Sequence, residues 1–213
     1  MRQLSLFDKF LCGIDTALRT LIVPTHRSST RPNPSQGITE PSLNAQEQKH
    51  VAGLMRVNHA GEVSAQALYQ GQALTAKLTT VKAQMTEAAA EEVDHLAWCE
   101  ERLCELKSGP SLLNPLWYGG SLVIGALAGF AGDQWSLGFV AETERQVTKH
   151  LQEHLKHLPP QDIKTKAILS KMQTDETHHA EMATAAGAAE LPFLMKKMMQ
   201  GVSKLMTKSS YYI

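Results

Sequence analysis

The chain has 213 residues, 43% of them hydrophobic, and its 21 basic side chains balance its 21 acidic ones. This length suggests one domain with a substantial core. The zero net charge gives no reason to expect a nucleic-acid partner. Cys12, Cys99 and Cys104 form no metal-binding pattern, and their odd number disfavours a disulfide framework. Aromatic residues are sparse and no long alternating pattern is present, so we expect an all-α protein.

Residues 1–23 predict an N-terminal amphipathic helix. Apolar residues recur at three- and four-residue spacing with charged residues between them: Leu4, Phe7, Leu11, Ile14, Leu18 and Leu21. A secretory signal would instead have a continuous apolar region. Two interpretations stay open, a helix packed on the body of the protein or one that contacts a membrane surface or a partner. The proline-rich residues 24–44 predict a mobile linker, and residues 45–213 the main domain.

Helical spacing of apolar residues predicts five further helices, separated by glycine and proline. Their expected ranges are 45–76, 80–107, 133–157, 161–186 and 191–207. The first begins after Asn44, with Glu47 at the spacing of a capping box. The last has lysines on its polar face, so it could pack over the other predicted helices or touch anionic lipid.

Residues 108–132 contain no charged side chain and form the most apolar stretch of the chain. Three interpretations are open: a membrane-spanning helix, a helix that dips into or lies on a membrane, and a buried or dimer-forming helix. Pro110 and Pro115 argue against spanning, and Gly125 and Gly129 have the spacing of closely packed helices. Aromatic residues near its ends suit a membrane interface: Trp117, Tyr118 and Trp135.

Two Glu-x-x-His motifs, at 92–95 and 176–179, lie on separate predicted helices. Residues three apart share one face of a helix, so each motif points a carboxylate and an imidazole the same way. Each motif has a further glutamate about 30 residues upstream. Four carboxylates and two imidazoles on four helices are the ligand set of a carboxylate-bridged di-iron or di-manganese bundle. The predicted metal ligands, which would also be the catalytic residues, are Glu62, Glu92, His95, Glu144, Glu176 and His179.

Rival residues of the same type stand beside two of these ligands. Helix phase gives Glu144 apolar neighbours, whereas Glu142 has polar ones, so Glu144 is the better ligand. Asp175 and His178 also lie three apart. The 176–179 motif is preferred because it repeats the Glu-x-x-His of the first half.

Other residues near the predicted ligands are interpreted from their positions on the helices. Glu91 and His154 are predicted to be solvated, and His150 could touch the metal site. Asp94 is either an acceptor for an imidazole N–H or simply exposed. Gly61 lies inside a predicted helix, where glycine costs roughly 1 kcal/mol relative to alanine. Close approach of another helix or of a bound ligand would explain that glycine.

Hard carboxylates combined with imidazoles suit iron or manganese, and the lack of paired cysteines disfavours structural zinc. Glu92 and Glu176 would bridge the two metals, the upstream glutamates would be terminal ligands, and each histidine would bind one metal. The ligands alone leave iron storage, radical generation, desaturation and hydroxylation open. The uncharged residues 108–132 favour a lipophilic substrate or a membrane.

Five stretches of the chain resemble the demethoxyubiquinone hydroxylase family, in its bacterial di-iron form. They are Val57–Glu62 (VNHAGE), Tyr69–Gln72 (YQGQ), Glu92–His95 (EVDH), Pro115–Trp117 (PLW) and Asp175–His179 (DETHH). The resemblance covers about residues 45–207. It carries the same six ligand positions onto this sequence, and Asn58 stands where some members have aspartate.

The resemblance implies a ferritin-like four-helix bundle that binds two Fe²⁺ ions per chain and uses dioxygen and an external reductant. The implied reaction hydroxylates the ring of demethoxyubiquinol, a 2-polyprenyl-3-methyl-6-methoxy-benzoquinol, in the penultimate step of ubiquinone biosynthesis. No Gly-x-Gly-x-x-Gly follows a predicted strand, so a resident nicotinamide fold is not expected.

The resemblance also implies partners and a location. A prenylated quinol would be the substrate, and other ubiquinone-biosynthesis proteins or a second copy of the chain could bind. The protein would be a peripheral membrane protein on the cytoplasmic face of a bacterial inner membrane. The alternative from another functional class is a non-catalytic ferritin-like protein that binds iron or serves as a scaffold in a quinone-synthesis complex.

Overall fold

The computed structural model describes residues 5–24 and 27–213, without the side chains of residues 6, 9, 10 and 79–84. These residues form seven α-helices and no strand, which confirms the predicted all-α class. The helices are α1 (Leu6–Leu21), α2 (Ala45–Thr75), α3 (Thr79–Glu105), α4 (Asn114–Ala131), α5 (Asp133–His157), α6 (Ile163–Ala185) and α7 (Phe193–Ser210). Residues 1–4 of the predicted N-terminal helix lie outside the described part.

Helices α2, α3, α5 and α6 form a ferritin-like four-helix bundle, in which α2 packs on α3 and α5 packs on α6. The predicted capping box at the start of α2 is confirmed, because the Asn44 side chain accepts from the Glu47 N–H and the Glu47 carboxylate accepts from the Asn44 N–H, both at 2.9 Å. One apolar cluster includes Met55 and Met172, and a second includes Tyr69 and Ala183. The predicted ligands on α2 and α6 therefore lie between two apolar layers.

Helix α4 packs one face on α2 and leaves the other face exposed. A Cβ atom on Gly125 would overlap the Leu68 carbonyl, and one on Gly71 would overlap the Leu122 carbonyl. The close packing predicted from glycine spacing is thus confirmed. Among residues 5–24 and 27–213, no helix has both the length and the hydrophobicity needed to cross a membrane.

Residues 27–44, predicted from their composition to be a mobile linker, are attached to the bundle. The ion pairs with α3 join Arg27 to Glu100, Arg31 to Asp94 and Glu40 to Arg102, each at an N–O distance of 2.7 Å. The charged partners on α3 are largely buried, and a buried charge requires a counter-charge. Proline content gave no sign of these pairs, because their partners are distant in the sequence.

Candidate metal centre

The structure brings all six predicted ligand residues together in the middle of the bundle, and each is at most 3% exposed. The ligands come from α2 (Glu62), α3 (Glu92 and His95), α5 (Glu144) and α6 (Glu176 and His179). Donor atoms of Glu62, Glu92, His95 and Glu176 lie within 4.8 Å of one another. Metal binding by these six residues stays a prediction.

The two motif glutamates lie between the two imidazoles. His95 Nδ1 is 3.1 Å from Glu92 Oε2 and 3.1 Å from Glu176 Oε1. His179 Nδ1 is 3.0 Å from Glu176 Oε2 and 3.5 Å from Glu92 Oε1. Each carboxylate therefore reaches both imidazoles, as a bridging ligand must. The Oε1 atoms of both glutamates are buried without a hydrogen bond.

The upstream glutamates complete the cluster from opposite sides. Glu62 Oε2 lies 3.5 Å from His95 Nδ1. The Tyr69 hydroxyl donates a hydrogen bond to Glu144 Oε1, and Glu144 interacts with Glu176. Tyr69 and Glu144 are both fully buried, so this hydroxyl fixes the orientation of the carboxylate.

Crowding of buried acids shifts the pKa values of the cluster. Burial, followed by the charges of Glu92 and Glu176, raises the pKa of both Glu62 and Glu144 well above the usual value. Burial also acts to raise the pKa of Glu176, but its hydrogen bond with His179 and its close contact with His95 outweigh burial and lower that pKa to about 2.

The imidazoles respond in the opposite direction. Burial alone would lower the pKa of His95, yet its hydrogen bond to Asp175 and its close contact with Glu176 raise it well above the usual value. The same competition, with Glu176 as the main partner, raises the pKa of His179 to about 9. The protein groups alone therefore attract positive charge into the cluster. Two divalent ions would balance four carboxylates and leave both imidazoles neutral, so the residues fit a pair of iron ions.

The outer nitrogen of each imidazole bonds to an acidic residue from the opposite half. His95 Nε2 lies 3.1 Å from Asp175 Oδ2, and His179 Nε2 lies 2.9 Å from Glu91 Oε2. Sequence reasoning missed both acceptors, since it treated Glu91 as solvated and Asp175 as half of a rival ligand pair with His178. A signal was present, because each acceptor directly precedes the motif glutamate of its own half.

Asp94 accepts no imidazole hydrogen bond and is not exposed, so neither expectation for it was right. Asp94 is 1% exposed and accepts from the Thr30 N–H at 2.6 Å and from Arg31 Nε at 2.7 Å. Burial opposes ionisation, but the hydrogen bonds from Arg31 and Thr30 lower the pKa of Asp94. The partners come from residues 27–44, and no spacing pattern in the chain indicated that this segment reaches Asp94.

The remaining candidates lie apart from the ligands. Glu142 is buried but bonds to Gln146 at 2.7 Å, so the choice of Glu144 by helix phase is consistent with the structure. His178 is exposed. The prediction that His154 is solvated is wrong, because its Nδ1 lies 2.9 Å from Asn58 Oδ1 within the bundle. Burial and neighbouring histidines lower the pKa of His154 to about 3.

A cavity of about 330 Å³ lies between α2, α4, α5 and α7 and borders Glu62. Its walls are mostly apolar, with Met195, Met198, Met199 and Met206 contributed by the α7 side. His150 also lines it. Gly61 borders the cavity, and no atom lies within 4 Å of the position where a Cβ would stand. Of the two explanations for this glycine, space for a ligand fits, whereas close approach of a helix does not.

The fold and the cluster define a ferritin-like helical protein with a carboxylate and histidine centre suited to two metal ions. The family described as "Ubiquinone biosynthesis protein COQ7" matches residues 49–210. The chain belongs to this family.

Two curated relatives are similar over their entire length. The 3-demethoxyubiquinol 3-hydroxylase of Legionella pneumophila (strain Paris) is 65% identical over 213 residues, which is 100% of both chains. The 3-demethoxyubiquinol 3-hydroxylase of Acinetobacter baumannii (strain ATCC 17978) is 57% identical over the same full length. These relatives confirm the resemblance found from the sequence motifs.

Proposed function

We propose that this protein is a di-iron monooxygenase that hydroxylates the ring of demethoxyubiquinol, the penultimate step of ubiquinone biosynthesis. The observation that carries this proposal is the apolar cavity that ends at Glu62 of the buried ligand cluster. An iron-storage or scaffold role requires no apolar cavity beside the ligands. Full-length relatives named for this hydroxylation support the proposal.

The six clustered residues would hold two iron ions, with the Nδ1 atoms of His95 and His179 facing the centre. When bound, the iron pair supplies the capacity to reduce dioxygen. Asp175 and Glu91 accept the outer N–H groups and thereby fix the imidazole tautomer. The Tyr69 hydroxyl donates a hydrogen bond to Glu144 and holds this carboxylate, which is not among the residues that line the cavity.

The cavity binds and orients the quinol ring. Its volume of about 330 Å³ is at the lower end of the roughly 300–1,000 Å³ usual for small-molecule sites, which suits a substituted ring. Apolar walls exclude water from the reacting ring. The prenyl tail leaves between α4 and α7, where exposed apolar side chains continue outward from the cavity.

The reaction balances with one external reductant. One oxygen atom of dioxygen replaces a ring hydrogen as a hydroxyl group, and the other leaves as water. Two electrons and two protons are consumed, which an external two-electron donor supplies.

Peripheral attachment to a membrane is part of the proposal. Exposed apolar residues lie on α1, α4 and α7, and those on α4 and α7 include Leu127, Phe130, Phe193 and Leu194. Lysines accompany them on α7, and cations favour anionic lipid surfaces. Flotation with anionic vesicles tests the idea. Aspartate at Leu127 and Phe130 should abolish flotation without loss of iron, and unchanged flotation would remove this part of the proposal.

The decisive experiment loads the purified protein with ferrous iron without oxygen and counts iron per chain. Demethoxyubiquinol, a reductant and air are then added, and the product is analysed by mass spectrometry. Two irons and a product that has gained one oxygen atom are expected. Two irons without product would favour the non-catalytic alternative, and lack of stoichiometric iron would reject the metal centre.

A further inference from the structure

Arg31, which precedes the bundle in the sequence, reaches three carboxylates on two bundle helices. Its Nε lies 2.7 Å from Asp94 Oδ2, and its Nη1 lies 2.8 Å from Asp175 Oδ2 and 3.9 Å from Glu91 Oε2. The Arg31 Nη2 atom also donates to the Glu91 carbonyl at 3.4 Å. The guanidinium lies over the Trp98 ring, 5.0 Å from its centroid.

Two of these carboxylates are the ones that hold the imidazoles. Asp175 Oδ2, the atom paired with Arg31, is also the atom that lies 3.1 Å from His95 Nε2. Glu91 Oε2 lies 2.9 Å from His179 Nε2. Arg31 thus contacts each imidazole indirectly, through Asp175 to His95 and through Glu91 to His179. One guanidinium therefore contacts both imidazole acceptors. Partners of this kind orient a metal-binding histidine and influence metal affinity.

We propose that Arg31 is a positioning residue that holds Asp175 and Glu91 so that both imidazoles keep Nδ1 directed at the metal pair. The proposal rests on the metal centre of the proposed function. Three acidic side chains converge on this guanidinium, and without it their mutual repulsion would move Asp175 and Glu91 away from the imidazoles.

The planar guanidinium suits this role better than an ammonium group would. Its donors point in fixed directions, so separate nitrogens can hold Asp94 and Asp175 at the same time. Lys171 also pairs with Asp175, through Oδ1, but it is 43% exposed and does not contact the oxygen bonded to His95. Loss of Arg31 therefore leaves Lys171 on Asp175 Oδ1 but removes the cation from Oδ2, the oxygen bonded to His95. It also removes the shared connection between the two halves.

Arg27 provides a matched control in the same segment. Its guanidinium pairs with Glu100 at 2.7 Å, so Arg27 fastens residues 27–44 to α3 as Arg31 does. The Arg27–Glu100 pair, however, contacts His59, which is not among the predicted ligands. Arg31→Gln and Arg27→Gln should lower the thermal stability of the metal-free protein to a similar degree. Only Arg31→Gln should affect the metals.

The test loads each full-length variant with Co²⁺ and follows transfer of the ion to a competing chelator, together with the visible absorption of bound Co²⁺. Partners of metal-ligating histidines typically change metal affinity by about 10–100-fold. We expect Arg31→Gln to weaken binding by about tenfold and to alter the Co²⁺ spectrum. Arg31→Lys should give an intermediate loss, and Arg27→Gln should leave affinity within about twofold of the wild type.

Three outcomes would contradict the proposal. Wild-type affinity and spectrum in Arg31→Gln would overturn it, and so would an equal loss in Arg27→Gln, which would mean that attachment of the segment alone matters. If Arg31→Gln does not fold, Arg31→Lys decides the question, and a lysine variant with wild-type affinity would reject the role of Arg31. A wild-type protein that binds no Co²⁺ would instead reject the metal centre, with which the role of Arg31 also falls.

Discussion

The two halves of the bundle, α2–α3 and α5–α6, supply matched ligands but different surroundings. Each half contributes an upstream glutamate and a Glu-x-x-His motif, and every one of these side chains is buried. Glu62 of the first half borders the apolar cavity. Glu144 of the second half is closed off by the Tyr69 hydroxyl. The metal centre is therefore nearly symmetric, whereas access to it is one-sided.

The outer acceptors of the imidazoles differ in a similar way. The Asp175 side chain, which holds His95, is 9% exposed, whereas the Glu91 side chain, which holds His179, is 37% exposed. The difference teaches that the internal repeat accounts for the six candidate ligands. The elements that have no counterpart in the repeat, α4, α7 and residues 27–44, make the two halves unequal.

The largest expected effect tests the symmetry of the centre itself. Glu92→Ala and Glu176→Ala each remove a carboxylate that reaches both imidazoles, so both should lose stoichiometric iron. Hydroxylation should fall on the order of a thousandfold or more, because several kcal/mol of metal-ion stabilisation disappear. Iron analysis and product formation measure this. Glu181→Ala, an exposed change on α6, is the control. Full iron and turnover in either ligand variant would refute the assignment.

The next effect tests the one-sided access. Gly61→Leu places a side chain in the cavity beside Glu62, where a Cβ meets no other atom. The leucine side chain takes space that the quinol ring would occupy, so kcat/KM for the quinol should fall by about 10–100-fold, or about 1.4–2.7 kcal/mol, with iron content unchanged. Gly201→Leu, which also meets open space but lies outside the cavity, should behave as the wild type. Equal kinetics for the two variants would mean that substrate does not use this cavity.

A smaller effect concerns the unequal acceptors. Asp175→Asn should weaken Co²⁺ binding by about tenfold, and Glu91→Gln by only about threefold, because a solvated carboxylate contributes less than a buried one. Chelator competition measures both. The reverse ranking would show that solvent exposure does not control the strength of these contacts.

The smallest effect at neutral pH concerns His154. This residue follows Glu144 by the same number of positions as Gln72 follows Glu62, so His154 and Gln72 are equivalent in the two halves. The pKa of His154 is about 3 in the folded protein, against about 6.5 for an unfolded chain. Below pH 6.5 the unfolded state therefore binds more protons, and the free energy of unfolding falls as the pH decreases.

The variant His154→Gln places a glutamine at this position, as Gln72 does in the first half, so the side chain no longer binds a proton in this pH range. The wild type should lose about 2 kcal/mol more than the variant between pH 7 and pH 5. Urea denaturation of the metal-free protein at the two pH values measures the difference, and the exposed His157→Gln is the control. Identical pH dependence of wild type and His154→Gln would contradict the burial of a neutral imidazole.

Several features could be predicted because they depend on local spacing. Helix α2 was expected over 45–76 and is found at Ala45–Thr75, since its capping box and apolar periodicity act within a few residues. The six ligand positions were selected because a helix places residues three apart on one face, and a repeat of that pattern is improbable by chance. Close packing of α4 was predicted from the spacing of two glycines, but its partner, α2, is known only from the structure.

Other features could not be predicted because they join residues that are distant in the chain. Asp94 was expected to be exposed or to hold an imidazole, yet its partners are Thr30 and Arg31. His154 was expected to be solvated, yet it faces Asn58 on another helix. Helix phase shows which side of a helix is polar, but it does not show which charged side chain from a distant part of the sequence contacts that side.

The sequence by itself determined the helical class, the approximate bounds of the predicted helices and the choice of six candidate ligands, because each depends on hydrogen bonding and side-chain geometry within one helix. Only the tertiary structure decided how the halves differ. The path of residues 27–44 brings Arg31 to both imidazole acceptors, and the placement of α4 and α7 leaves a cavity at Glu62 but not at Glu144. The position of Arg31 depends on the pairing of buried charges, and the position of the cavity depends on the packing of apolar helix faces. Both involve residues that are far apart in the chain.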